Sequence, residues 1–111
     1  MYNVKLHDDS LEWSPLDFPG ASLRVLHTDP TTGATSLQIR IAPGATIPAH
    51  LHTKADEALY VLEGDFVEAG VSSGPGTFYA AKAGVPHGPH TTVSGCIVLL
   101  ALSAELDTVL A

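Results

Sequence analysis

Short β-prone runs separated by tight-turn residues recur along the chain, and this spacing constrains its fold more than any other feature. Ser22–Thr28 alternates polar and apolar residues and is followed by the turn sequence DPTTGA. Thr35–Ala42 then alternates again, with Leu37, Ile39 and Ile41 on one face, as in the second strand of a hairpin. Strong helix signals are missing. About eight such strands predict an all-β fold, a small closed barrel or jelly roll.

The rest of the chain continues this pattern. Further strands are predicted at 46–52, 57–62, 65–68, 77–81 and 96–102. The run at 57–62, EALYVL, is apolar on both faces, which predicts a central strand buried from both sides. Residues 1–20 are expected to form an irregular arm, and residues 104–111 a terminal helical turn or a loose tail.

Composition limits the class of protein and its partners. A chain of 111 residues suits one domain, and 45% hydrophobic against 15% charged residues predicts a well-filled core. The net charge of −7 and the lack of a basic cluster argue against nucleic acid and anionic membranes as partners. The longest apolar run, Cys96–Leu102, is too short to span a bilayer, and MYNVKLHDDS lacks the order of a signal peptide. With Cys96 as its one cysteine, the chain is expected in the reducing cytoplasm.

The stretch AHLHTKADE at 49–57 carries the clearest chemical pattern. On a strand, His50 and His52 point to the same side, about 6.6 Å apart along the backbone, so both imidazoles can reach one ion. Glu57 opens the next strand after a reversal. Asp56 competes with it, but Glu57 shares the strand face of Leu59 and Val61, and Asp56 suits a side-chain-stabilised turn.

A fourth donor is expected from the turn AGVPH. Gly84 and Pro86 predict a rigid turn that aims His87, the leading candidate. Imidazole nitrogens suit Zn, Cu, Fe and Ni, and an added carboxylate extends the choice to Mn and ferrous iron. For His90, a substrate contact, a partner of His87 and a solvated loop residue all stay open, with the solvated residue favoured.

These residues resemble the cupin family. The pattern G-x5-H-x-H-x4-E-x6-G fills every fixed position of the first cupin motif at 44–64. The second motif, at 76–91, agrees at Gly76, Gly84 and His87, while Lys82 replaces the usual proline and Thr91 the usual asparagine. The resemblance implies one cupin domain over 1–111 with a small jelly-roll β-barrel. It carries the metal ligands onto His50, His52, Glu57 and His87.

A narrower resemblance extends from DPTTGATSLQIRIAPGATIPAHLH through PHGPH to SGC. It is similar to the acetylacetone-cleaving and dihydroxyacetophenone dioxygenases, and equally to the zinc cupin domain of ChrR-type anti-sigma factors. The acetylacetone-cleaving type relies on three histidines, which would leave Glu57 as a weak ligand or a base. The zinc type uses the carboxylate as a full ligand, and the sequence leaves both roles open.

The function expected from this reading is a mononuclear metal-dependent oxygenase. Four protein ligands leave open positions on a six-coordinate ion, as catalytic sites do. Mostly apolar barrel walls favour a small chelating carbonyl substrate, a diketone or hydroxyketone, cleaved at a C–C bond with O2. Glu57 is then the catalytic residue, and one Fe2+ per chain is favoured, with Zn2+, Mn2+ and Ni2+ as alternatives.

Two other functions stay open. One is a non-catalytic zinc cupin that acts as a sensor or binding module with a protein partner. The other is an isomerase or cyclase that uses the metal without O2. In each case strands that are apolar on both faces predict a homodimer through one sheet.

Overall fold

The computed structural model describes all 111 residues, and its regular secondary structure is almost entirely antiparallel strand. None of its helices is long or apolar enough to cross a membrane. A 3₁₀-helix at Asp8–Ser10 precedes β1 (Ser14–Pro15), β2 (Ala21–Thr28), β3 (Thr35–Ile41), β4 (Thr46–Ile47), β5 (His50–Leu51), β6 (Glu57–Gly64), β7 (Phe66–Glu68), β8 (Val71–Ser73), β9 (Phe78–Ala81), β10 (His90–Thr91), β11 (Cys96–Leu102) and β12 (Val109–Leu110).

The strands form three sheets. The largest has the order β1-β2-β3-β11-β6-β9, the second β4-β10-β7-β8, and β12 pairs with β5 in a third. Strand β11 lies inside the large sheet because it pairs on one side with β3 and on the other with β6. In that register Leu100 stands opposite both Leu37 and Leu59, so their side chains share one face.

The core lies between the two larger sheets. Twelve buried hydrophobic residues form one cluster, in which Ile47 and Phe66 of the second sheet pack with the inner face of the large sheet. The predicted all-β jelly roll is therefore confirmed. The hydrogen-bonded ladder is not continuous around the molecule, so the sheets do not close into a true barrel.

Strand β6 differs from its prediction. Its inner residues Leu59 and Val61 are buried, but Tyr60 is 44% and Leu62 37% exposed on the outer face. The expectation that this strand is buried from both sides is wrong within one chain. The apolar outer face of the large sheet instead lies open at Tyr60, Leu62 and Phe78.

Both chain ends are more ordered than the sequence indicated. The guanidinium groups of Arg24 and Arg40 both lie over the Trp13 ring, 4.2 and 4.5 Å from its centre. The C-terminal segment is neither a helical turn nor a loose tail, because β12 pairs with β5, the strand that begins at His50. Residues 104–111 contain no hydrophobic repeat that would predict this strand. The strand forms by pairing with a segment about 60 residues away in sequence.

Candidate metal centre

The backbone ties His50 and His87 together although 36 residues separate them. Each backbone N–H donates to the other residue's carbonyl, at 2.9 Å in both directions. Their rings consequently lie side by side with centroids 4.5 Å apart, and the His52 ring lies 5.0 Å from each. The jelly roll thus brings the three predicted histidines to one point.

Glu57 lies at the same point, at the first residue of β6. Its Oε1 is 3.1 Å from His52 Nε2, and its Oε2 is 3.5 Å from His87 Nε2. One donor atom from each of these three residues falls within 4.8 Å of the other two. The four predicted ligands are buried or nearly so, which keeps their donor atoms away from bulk water.

The neighbouring acid behaves differently. Asp56 is exposed, and its Oδ1 accepts a hydrogen bond from the Ala83 N–H at 2.9 Å while its Oδ2 lies 3.6 Å from Lys82 Nζ. This bond lowers the pKa of the Asp56 carboxyl. Asp56 therefore joins two turns, whereas Glu57 faces inward with Leu59 and Val61 as the strand parity predicts.

The orientation of the imidazoles fits a metal ion. His50 Nδ1 donates to the Pro48 carbonyl and His52 Nδ1 to the Asp107 carbonyl, each at 2.7 Å. Since a carbonyl can only accept, each ring carries a proton on Nδ1. The Nε2 lone pair of His50 is then free in the neutral ring, whereas His52 Nε2 faces the Glu57 carboxylate at 3.1 Å. Metal-binding histidines are held in this way, with the nitrogen that does not bind tied to a carbonyl or carboxylate.

His87 gives the sharpest indication of a missing ligand. Its Nδ1 lies 3.3 Å from the Val85 carbonyl, and its buried Nε2 has no hydrogen-bond partner. A buried polar atom without a partner is costly in a native protein unless a ligand completes it. Two Nε2 atoms at one carboxylate, with the His50 ring beside them, are a donor set suited to a divalent transition metal, so the residues fit the implied ion.

The charges at the centre support one another. Burial raises the pKa of Glu57, but the His52 hydrogen bond and the nearby His87 outweigh it and leave the pKa below its ordinary value. The same bond raises the pKa of His52, while burial lowers the pKa of His50. Glu57 is thus an ionised carboxylate at neutral pH, able to bind a cation or accept a proton.

His90 does not lie where the sequence reading favoured it. It is 7% exposed, packs against the Phe66 ring at 4.9 Å, and its Nδ1 contacts the Glu68 carboxylate. The expectation of a solvated loop residue is wrong, because His90 belongs to β10 and points into the jelly roll. His90 follows His87 by three residues, with the turn Gly88-Pro89 between them. The alternation of side chains along a strand therefore could not predict which way His90 points.

A cleft of about 370 Å³ opens beside the centre, with Glu57 and His87 in its wall. Phe66, Tyr79 and Ala81 supply part of the apolar wall that was expected in general terms, but Glu68, Lys82 and His90 line the cleft too. The prediction of walls with few further polar groups is therefore wrong. The cleft can seat a small molecule and offers it both ring faces and charged groups.

The two departures from the second motif leave the centre intact. Lys82 is an exposed side chain beside Asp56, and the Thr91 hydroxyl donates to the Ala45 carbonyl at 3.0 Å. The first motif's last glycine is required by space. At Gly64, φ is +79° and a Cβ would lie 1.9 Å from the Gly95 oxygen, so no other residue fits without a shift.

The C-terminal segment contributes to the centre in a way that the sequence reading missed. Besides the carbonyl that holds His52, Asp107 accepts a hydrogen bond from the Thr53 N–H at 2.8 Å, and its carboxylate also contacts the Thr53 hydroxyl. The segment thus fastens the loop that follows the two histidines. The bond from His52 to the Asp107 carbonyl could not be predicted from the sequence, because every residue has a main-chain carbonyl.

Comparison with known proteins identifies the family and the fold of this chain. The family model of the ChrR cupin-like domain matches residues 2–104. No curated protein matches the chain by sequence. The polyketide cyclase RemF from Streptomyces resistomycificus superposes with a TM-score of 0.76 at 22% identity, over 96% of this chain and 84% of that one.

Two further structures correspond to the resemblances drawn from the sequence. An acetylacetone dioxygenase from Acinetobacter johnsonii has a TM-score of 0.73 at 15% identity, covering 98% of this chain and 85% of that chain. The anti-sigma factor ChrR, solved in complex with SigE from Rhodobacter sphaeroides, has a TM-score of 0.67 at 27% identity, covering 86% of this chain and 48% of that chain. With the fold shared and its family model matched over nearly its whole length, the chain belongs to the ChrR cupin-like domain family of cupins.

Proposed function

We propose that this cupin is a mononuclear metal-dependent oxygenase that cleaves a C–C bond in a small chelating carbonyl compound. The observation that carries the proposal is the approach of His52 Nε2 and His87 Nε2 to the Glu57 carboxylate, with the His50 ring 4.5 Å from that of His87, beside a cleft of about 370 Å³. His50, His52, Glu57 and His87 would hold the ion. A bound divalent metal, with Fe2+ favoured, would supply Lewis acidity and redox chemistry toward O2.

The chain's own residues have separable tasks in this reaction. Glu57 lines the cleft as an ionised carboxylate, so one of its oxygens can take the acidic proton between two carbonyl groups of a diketone. Phe66 and Tyr79, whose ring centres are 5.7 Å apart, form an apolar wall that excludes water from one side of the cleft. Lys82, also in the lining, can orient the negative charge that deprotonation creates.

O2 consumption tests this proposal directly. The Fe2+-loaded protein is expected to consume one O2 for each molecule of acetylacetone or of a hydroxyketone cleaved, and the Zn2+-loaded protein none. Glu57→Gln should abolish turnover, while the matched variant Asp56→Asn should retain it because Asp56 only joins two turns. Absence of turnover across a panel of small dicarbonyl compounds would refute the oxygenase.

A zinc-binding module is the second candidate, and the family match favours it. The solved ChrR is described as an anti-sigma factor in complex with SigE, so a related cupin can serve protein regulation. This alternative predicts tightly held zinc, no redox activity and a protein partner. The polyketide cyclase RemF likewise supports a third candidate, an O2-independent isomerase or cyclase. Elemental analysis of the metal that co-purifies separates iron from zinc, and O2 uptake separates the oxygenase from the cyclase.

We also propose a homodimer through the outer face of the large sheet. Tyr60, Leu62 and Phe78 are 44%, 37% and 62% exposed there, and a second copy would cover them. Tyr60→Glu is expected to give monomers by native mass spectrometry. Val71→Glu, an equally apolar and exposed position on the other sheet, should leave the dimer unchanged. A wild-type protein that is monomeric at micromolar concentration would refute the interface. The cytoplasmic location stays a prediction from the sequence.

A further inference from the structure

His90 and Glu68 form a buried pair beside the metal centre but outside the predicted ligand set. They stand directly opposite each other in the register of β10 and β7, so their side chains share one face. Glu68 Oε1 accepts a hydrogen bond from the Gly88 N–H at 3.0 Å, and its Oε2 contacts His90 Nδ1. Neither of the two contacting atoms has a hydrogen-bond partner, so the contact is a close approach of a carboxylate oxygen to a ring nitrogen.

The His90 ring faces the other histidines. Its centroid lies 5.4 Å from that of His50, 5.5 Å from that of His87 and 4.9 Å from that of Phe66. One donor atom from each of His50, His87 and His90 falls within 4.8 Å of the other two. Because Nδ1 lies against the Glu68 carboxylate, Nε2 is the His90 atom left for this cluster.

We propose that His90 is a fifth protein ligand of the metal in the substrate-free protein and that Glu68 is its positioning residue. This inference rests on the proposed function, since it needs an ion at the centre. The pair reproduces the carboxylate–histidine–metal arrangement in which an outer carboxylate sets the ring orientation and raises the basicity of the nitrogen that binds. His87 belongs to both groups of donor atoms, with Glu57 and His52 on one side and His50 and His90 on the other.

Five protein donors have a consequence for substrate binding. A six-coordinate ion then keeps one open position, whereas a chelating dicarbonyl needs two. His90 would therefore give up its place on the ion to such a substrate, and its Nδ1 contact with Glu68 would keep the displaced ring against the wall of the cleft. Specificity follows, because a ligand with one oxygen donor cannot displace His90 as a chelate does.

Counting the imidazoles on bound Cu2+ by pulsed electron paramagnetic resonance tests this inference without any turnover. The wild-type protein is expected to show four imidazoles, and His90→Phe, which keeps a ring against Phe66, three. Addition of acetylacetone to the wild type should lower the count from four to three. His27→Phe, at a half-buried histidine on β2 away from the centre, serves as the matched control and should keep four.

Metal affinity gives the second readout. Glu68→Gln is expected to weaken Cu2+ binding about 10-fold and His90→Phe by at least that factor, in the range for residues that orient or bind at a metal site. Three imidazoles in the wild type, or unchanged affinity in a folded His90→Phe, would overturn the proposal. If His90→Phe fails to fold, the wild-type count and Glu68→Gln decide alone. A wild type that binds no Cu2+ would overturn the proposed function as well, while three imidazoles would overturn only the role of His90.

Discussion

Replacing Glu57 by glutamine should remove most of the rise in melting temperature that metal binding gives the fold. Glu57 is 8% exposed and is the only negatively charged donor among four predicted ligands. Glutamine keeps its size and removes its charge. We expect the metal dissociation constant to rise about 100-fold, the upper end of the range for residues that support a metal site.

The size of the thermal effect follows from linkage. At a free metal concentration 100 times the dissociation constant, the ion stabilises the wild-type fold by about 2.7 kcal/mol. An unfolding entropy of about 2.1 cal/mol/K per residue gives about 0.23 kcal/mol/K for 111 residues, so the melting temperature rises by about 12 °C. At the same metal concentration Glu57→Gln retains about 0.4 kcal/mol, or about 2 °C.

Differential scanning calorimetry with Zn2+ and with a chelator measures both shifts. Asp56→Asn is the matched control, since it removes the same charge one residue earlier from an exposed turn. It should keep a shift of about 12 °C. A full shift in Glu57→Gln, or its loss in Asp56→Asn, would refute the assignment of the two acids.

Three further variants test the fold and the support of the centre. Leu100→Ala, at a 3% exposed position, should lower the free energy of unfolding by about 2–5 kcal/mol in urea denaturation, and a loss below 1 kcal/mol would contradict its core position. Asp107→Ala should weaken metal binding about 10-fold by freeing the segment that holds His52; unchanged affinity in calorimetric titration would contradict this role. Asp65 accepts bonds from the Ser94 side chain and from the Val93 and Ser94 N–H groups, which hold its pKa far below the ordinary range. The lowered pKa stabilises the fold above the unfolded-state pKa of about 3.9, so Asp65→Asn should melt lower than wild type at pH 7 and the gap should shrink below about pH 4. A difference in melting temperature between wild type and Asp65→Asn that does not depend on pH would contradict this role of the Asp65 carboxylate.

The sequence predicted the parts of this molecule that depend on local pattern. Strand β11 begins and ends where its apolar run does, and the alternation in β3 gives the inner face that the structure shows. The first cupin motif placed His50, His52 and Glu57 on neighbouring strand ends, because a period of two and a short reversal suffice to fix their relative positions.

What the sequence could not predict depends on contacts between distant segments. His90 was read as solvated because its direction depends on how β10 enters the second sheet, not on its neighbours. The C-terminal strand was missed because it forms only by pairing with His50 and Leu51. The exposure of Tyr60 was missed because residue type alone does not show whether the rest of the chain covers an apolar side chain.

The most direct test of the central claim is a crystal structure with anomalous data at the absorption edge of the added metal. One peak per chain is predicted, about 2.0–2.2 Å from the Nε2 atoms of His50, His52 and His87 and from a Glu57 oxygen. A peak found only elsewhere, such as at the exposed group of His7, Asp8 and Asp9, would contradict the account, as would a map with no peak at the centre.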